Sequence, residues 1–257
     1  MLMRKSTDST KIPGEIMKSI SQLSRYLLAT LSLSSVLGII APSVLAVTFS
    51  TPEGVAGTPR TQTGGGASRS NGQCLVGQEN LEAIRPILPN FERVLTVSGR
   101  PSFFVSLPET TAQTATFSLQ DRRGETHYRS EVDLPEQGGI VQVTLPDEHP
   151  ELALGEDYSW YFEVHCVSAF DPNNPTIEGT VYRLPIEDAL AEQLEAAETA
   201  VDLAQVYGEY GIWYDALATL ADAQHRQPDN EIIAENWAEL LTSVGLEDLS
   251  QQSLNFE

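Results

Sequence analysis

Beyond residue 46 the chain has no lysine: Lys5, Lys11 and Lys18 all lie ahead of that point, and every later base is an arginine. The net charge is −21, and because the first 46 residues carry five bases against two acids, the remainder stands at −24. Phosphate neutralisation needs clustered Lys and Arg, so this surface argues against nucleic acid and against an anionic membrane face as partners. Cations or a basic protein partner fit the charge, as does the plainer role of keeping the surface soluble. Cysteine is nearly missing too, with two residues and no C-x-x-C. The four histidines, His127, His149, His165 and His225, stand at no metal-ligand spacing, so no metal site is implied. Neither G-x-S-x-G nor S-x-x-K occurs, which leaves nucleophilic catalysis without a local signature. A Gly-rich stretch with Arg60 and Arg69 lacks the Gly-Lys-Ser/Thr ending of a phosphate loop. The sequence implies no cofactor and no enzyme.

Long apolar runs are equally scarce. The one present, Tyr26 to Ile40, has 15 residues, fewer than the ~20 a membrane-spanning helix needs. It follows the basic residues Arg4, Lys5, Lys11, Lys18 and Arg25 and precedes Pro42 and Val44-Leu45-Ala46. Residues 1–46 therefore read as a signal peptide cleaved after Ala46, with an uncleaved anchor as the alternative and the sole membrane contact. This predicts an exported protein, periplasmic or extracellular. In such a compartment Cys74 and Cys166 predict one disulfide, with two unpaired buried thiols as the alternative. The bridge would close a loop of roughly 90 residues, worth about 4 to 5 kcal/mol in the chain-entropy model.

What is there begins with residues 47–73, rich in Thr, Gly, Ser and Pro, too poor in large apolar residues to offset their ordering entropy. They read as a flexible lead-in. Leu81 to Pro89 reads as a turn-rich connection. From 101 onward six short strands follow: 101–107, 114–121, 126–134, 140–145, 155–166 and 177–184, with turn signals between them. The fifth puts Trp160, Phe162, Val164 and Cys166 on one face and Ser159, Tyr161, Glu163 and His165 on the other. Leu154 and Tyr158 just ahead are similar to the tyrosine corner of immunoglobulin-like folds. The fold class predicted for 74–185 is mainly β, an antiparallel immunoglobulin-like sandwich. At Pro185 the period changes, and 186–257 is predicted to be an acidic helical segment of about three helices. These are an amphipathic helix over 186–207, a second over 212–227 stopped by Pro228, and a third capped by Asp229 or Asn230. The segment holds 16 acids and one base, Arg226.

The lead-in ending in Gly72-Gln73-Cys74, the stretch VLTVSGRPSFFVSLP at 94–108, LALGEDYSWYFEVHC at 152–166 and YGIWYDAL at 210–217 together resemble the cyanobacterial domain-of-unknown-function family 928. The resemblance implies an exported protein and brings no activity, ligand or cofactor with it. Tyr207, Gly211, Trp213, Ala216, Leu220, Ala223 and Pro228 are similar in spacing to one tetratricopeptide-like repeat, with a plain helical hairpin covering a sheet as the alternative.

Three roles follow as expectations. The first is a non-catalytic binding or adaptor module with an envelope or other exported partner, for which Tyr210, Trp213 and Tyr214 are the contact candidates, with a core position as the equal alternative for Trp213. The second is a carbohydrate- or ester-active hydrolase using dispersed carboxylates such as Asp147-Glu148, Glu156-Asp157 and Glu187-Asp188. The third is a structural component of an envelope or extracellular layer.

Overall fold

The structure, a computed structural model, describes residues 46–52, 74–75 and 84–256. The signal peptide expected over 1–46, apart from Ala46, lies outside the described residues, as do 53–73 of the expected lead-in. Nine strands and four helices follow in order: β1 (Arg85–Pro86), β2 (Leu95–Thr96), β3 (Ser102–Leu107), β4 (Thr114–Asp121), β5 (Thr126–Asp133), β6 (Gly139–Thr144), β7 (Asp157–Val164), β8 (Thr176–Arg183), α1 (Asp188–Ala196), α2 (Ala200–Glu209), α3 (Trp213–Arg226), α4 (Glu231–Thr242) and β9 (Leu254–Phe256). One sheet runs β1-β3-β6-β9 and the other β2-β8-β7-β4-β5.

The alternating strands form the sheets because each has one apolar face to bury. On β7 the face of Tyr158, Trp160, Phe162 and Val164 is buried and the other half-exposed. Phe103 of β3 meets Phe117 of β4 and Trp160 of β7, with ring centroids 4.9 and 5.7 Å apart, so the two sheets share one core. Trp160 lies flat across Gly179 of β8, its register partner, where a Cβ would collide with the indole. Cys74 and Cys166 form the expected disulfide, and the Cys74 carbonyl accepts from Thr111 N–H at 2.8 Å.

Three expectations are corrected. The sheets are mixed and not purely antiparallel, because β2 pairs parallel with β8 and β9 parallel with β6. Both parallel strands come from outside the run of six, β9 from beyond the helices. The segment after Pro185 holds four helices in place of three, because the one expected over 186–207 breaks in two. Ala197 is extended (φ −69°, ψ 123°), and Thr199 opens a new helix through a capping box with Asp202. In that box Asp202 N–H donates to Thr199 Oγ1 at 3.1 Å and Thr199 N–H to Asp202 Oδ2 at 2.9 Å. Finally, the first six residues of the expected flexible lead-in are held against the helices. Val47 is fully buried and its N–H donates to Asn236 Oδ1 at 2.9 Å. Phe49 packs edge-on to Trp213, and Ser50 N–H donates to the Gly208 carbonyl at 2.9 Å. Gly208 permits this, since a Cβ there would strike the Thr48 carbonyl. In the expected turn region Arg85–Pro86 pairs with β3.

Candidate functional site

The first turn of α3 joins helices to sheets. Gly211, at φ 69°, turns the chain out of α2, and Trp213, Tyr214 and Asp215 then enter the protein from successive positions. Trp213 is fully buried and its Nε1–H donates to the Ile87 carbonyl at 2.9 Å. Tyr214, equally buried, places its hydroxyl between two partners. It accepts from Trp160 Nε1–H at 2.8 Å and donates to the Thr180 carbonyl at 2.7 Å. Its ring meets Phe103 edge-on at 5.4 Å, so this side chain touches both sheets.

Asp215 Oδ2 accepts from Thr96 Oγ1 at 2.7 Å and Val97 N–H at 3.1 Å. The residue as a whole keeps a sliver of exposure, but burial of its carboxyl raises the pKa to about 6 against the opposing pull of the hydrogen bonds from Thr96 and Val97. Tyr207 is pushed up to about 12, first by burial and then by the Asp215 charge.

These contacts correct the contact candidates. Trp213 and Tyr214 spend their polar atoms inside the protein and present no surface to a partner. Tyr210 alone of the three is half-exposed, and its hydroxyl accepts from Gln193 Nε2 at 2.9 Å. Asp215, which no local pattern singled out among 16 acids, is with Tyr207 a titratable group the fold has strongly altered at this joint.

Concave regions lie elsewhere, of which two matter to the site. One, of about 310 Å3, is bordered by Arg93, Arg122, Asp157 and Ser159. Asp157 is shared there by both guanidinium groups, with Arg93 Nε at 2.7 Å, and Arg93 also stacks on the Tyr182 ring at 4.4 Å. Its charges are thus engaged with each other. The second, of about 390 Å3, opens between α1, α2 and α3. Leu194, Ala197 and Leu203 give it apolar walls, and exposed Glu198, Asp222 and Arg226 border it.

The histidines are held by local contacts. His165 bridges Thr114 Oγ1 and Thr116 Oγ1 at 2.9 and 2.8 Å, and His149 Nε2 lies 2.8 Å from the His127 carbonyl. Among the described residues no group of three His, Cys, Asp or Glu side chains is placed to hold a metal ion. Of the carboxylate pairs expected for hydrolysis, Asp157 is taken up by Arg93 and Arg122, and Asp147-Glu148 and Glu187-Asp188 lie on the surface.

No curated protein matches the chain. A family model, Domain of Unknown Function (DUF928), matches residues 64–254, which takes in β1 to β8, all four helices and the first residue of β9. The chain belongs to this family.

Proposed function

We propose that this chain is an exported, non-catalytic binding or adaptor module whose partner seats a basic segment in the groove between α1, α2 and α3. The groove carries the proposal: apolar walls at Leu194 and Leu203 offer an anchor pocket, and the surrounding helical segment has 16 acids and one base. Such a surface raises the local concentration of basic partners and speeds their encounter. The chemistry-bearing aromatics and Asp215 are committed to internal contacts, which favours binding over catalysis as the role of the exposed surface.

Two further observations support the export reading. The disulfide suits an oxidising compartment. Cleavage after Ala46 would make Val47 the first residue, and its nitrogen already sits on Asn236 Oδ1. At the level of architecture we read the two sheets as a variant of the immunoglobulin-like sandwich, supported by Tyr158, whose hydroxyl accepts from Ala153 N–H at 3.0 Å. We read α2–α3 as one tetratricopeptide-like unit, supported by the tight turn at Gly211, φ 69°, that joins the two helices, and the family as cyanobacterial.

The test is a titration of the immobilised protein with basic and acidic peptides carrying a central Leu or Phe, using the native protein beside Leu203→Arg. Saturable binding of basic peptides that weakens with salt and is lost in Leu203→Arg supports the groove. Equal binding of acidic peptides, or indifference to Leu203→Arg, overturns it. Recovery of the protein outside the cytoplasm with Val47 at its N-terminus supports export, and retention in the cytoplasm overturns that part.

A further inference from the structure

Among the described residues β5, a strand of eight residues, pairs on one side only, with β4. A long edge of this kind is a template for another strand. Leu134 N–H donates to the Gln113 carbonyl at 2.8 Å, and in the β4–β5 ladder Val132 faces Ala115 and Ser130 faces Phe117. Alternation along an antiparallel ladder then turns the backbone groups of Ser130 and Val132 toward β4 and those of Arg129, Glu131 and Asp133 outward. At the near end the His127 carbonyl already meets His149 Nε2, so the free edge is centred on residues 129–133.

The side chains along this edge are self-complementary. Tyr128-Arg129-Ser130-Glu131-Val132 reads as a palindrome in chemistry: apolar, charged, small polar, oppositely charged, apolar. If a second copy lies antiparallel with Ser130 on its own mate, Arg129 faces the second copy's Glu131 and Glu131 faces its Arg129. Tyr128 then faces Val132 twice. Opposite-charge and aromatic–β-branched pairs are the favourable cross-strand combinations. This register also fits the backbone, since 129 and 131 are the residues with outward hydrogen-bonding groups and 130 falls at a non-hydrogen-bonded pair.

Three features of the protomer agree. Arg129, like Arg226, has no ion pair among the described residues, whereas Arg85, Arg93, Arg100, Arg122, Arg123 and Arg183 each have at least one. It is exposed and lies instead on the exposed ring of Phe170, 5.1 Å from its centroid. The Ser130 hydroxyl is buried without a hydrogen-bond partner among the described residues, and a χ1 rotation toward the two-fold axis would give it one in the second copy.

We propose that two copies of this chain associate through β5, antiparallel about Ser130, into one continuous ten-stranded sheet across an isologous two-fold interface. The partner is a second copy because the exposed charges of the edge, Arg129 and Glu131, complement themselves at a single register. The proposal stands independently of the groove and of export.

The test combines charge exchange with cross-linking on the full chain at physiological ionic strength, where the repulsion between two strongly acidic copies is screened beyond ~8 Å. Sedimentation should show a dimer. Arg129→Glu and Glu131→Arg should each weaken it by roughly tenfold or more, since each turns two facing pairs into like charges. The double variant Arg129→Glu/Glu131→Arg should restore it. All three changes are on exposed side chains, and an unchanged circular dichroism spectrum verifies folding. Under mild oxidation Ser130→Cys should give a covalent dimer and Glu131→Cys should not, because position 131 faces 129 and not itself. A monomeric native protein, single variants that dimerise as before, or cross-linking at 131 as readily as at 130 overturns the proposal.

Discussion

Asp215 makes stability depend on pH in a direction opposite to that of most carboxylates. Its pKa is about 6 in the folded protein against an ordinary value of 3.8. A shift of about two units corresponds to about 3 kcal/mol between the two protonation states. Because the folded pKa lies above the unfolded one, the folded state binds the extra proton between them. The contribution is therefore fully present below about pH 4 and is lost as pH rises through about 6. Asp215→Asn keeps an acceptor for Thr96 Oγ1 and Val97 N–H and removes the ionisation. Urea unfolding followed by tryptophan fluorescence suits the measurement, since Trp160, Trp213 and Trp237 are all buried. Other groups shift the absolute profile: burial and the nearby His149 hold His127 below its ordinary value, and Asp121 is lowered chiefly by the Glu125 backbone N–H. The informative quantity is thus the difference between the native protein and Asp215→Asn. It should move by about 3 kcal/mol toward the variant from pH 4 to pH 7. A difference that stays constant over that range refutes the buried-carboxyl reasoning.

The same joint supports two further expectations. Tyr214→Phe strands the Trp160 indole N–H without its acceptor and should cost about 1–3 kcal/mol in urea unfolding. No loss would mean that the hydrogen bond contributes nothing. Gly179→Ala forces a methyl group into the Trp160 indole and should cost about 1–3 kcal/mol, with a blue or red change in Trp emission marking the displaced ring. A variant as stable as the native protein would show that β7 and β8 part easily at this point.

Much of the sheet structure was legible because its strands alternate over six to eight residues with one face wholly apolar. Thr114–Asp121 falls where the alternation of Ala115, Phe117 and Leu119 places it, and Asn230 caps α4 by accepting from Ile232 N–H. What escaped has physical reasons. β2 and β9 have two and three residues, too few for a period, and their parallel partners are set by tertiary contact. The break at Ala197 was hidden because the apolar spacing continues across it, whereas the Thr199-x-x-Asp202 capping signal was there to be read. Tyr214 was expected at a surface, and Trp213 either there or in the core, because helical spacing shows that a face is apolar but not that a sheet already covers it. Asp215 could not be found at all from sequence, since its altered chemistry comes from Thr96 and Val97, more than a hundred residues away. By contrast, the complementarity of Tyr128 to Val132 is written in five consecutive residues, but its meaning depends on β5 being an edge.

The most direct test of the joint between helices and sheets is residue-resolved hydrogen exchange in increasing denaturant. With Trp213, Tyr214 and Asp215 tying α3 to both sheets, the amides of α3, β7 and β8 should exchange through one common opening, at the same free energy and denaturant dependence. Exchange of α3 at a lower free energy, with β7 and β8 still protected, would contradict the account.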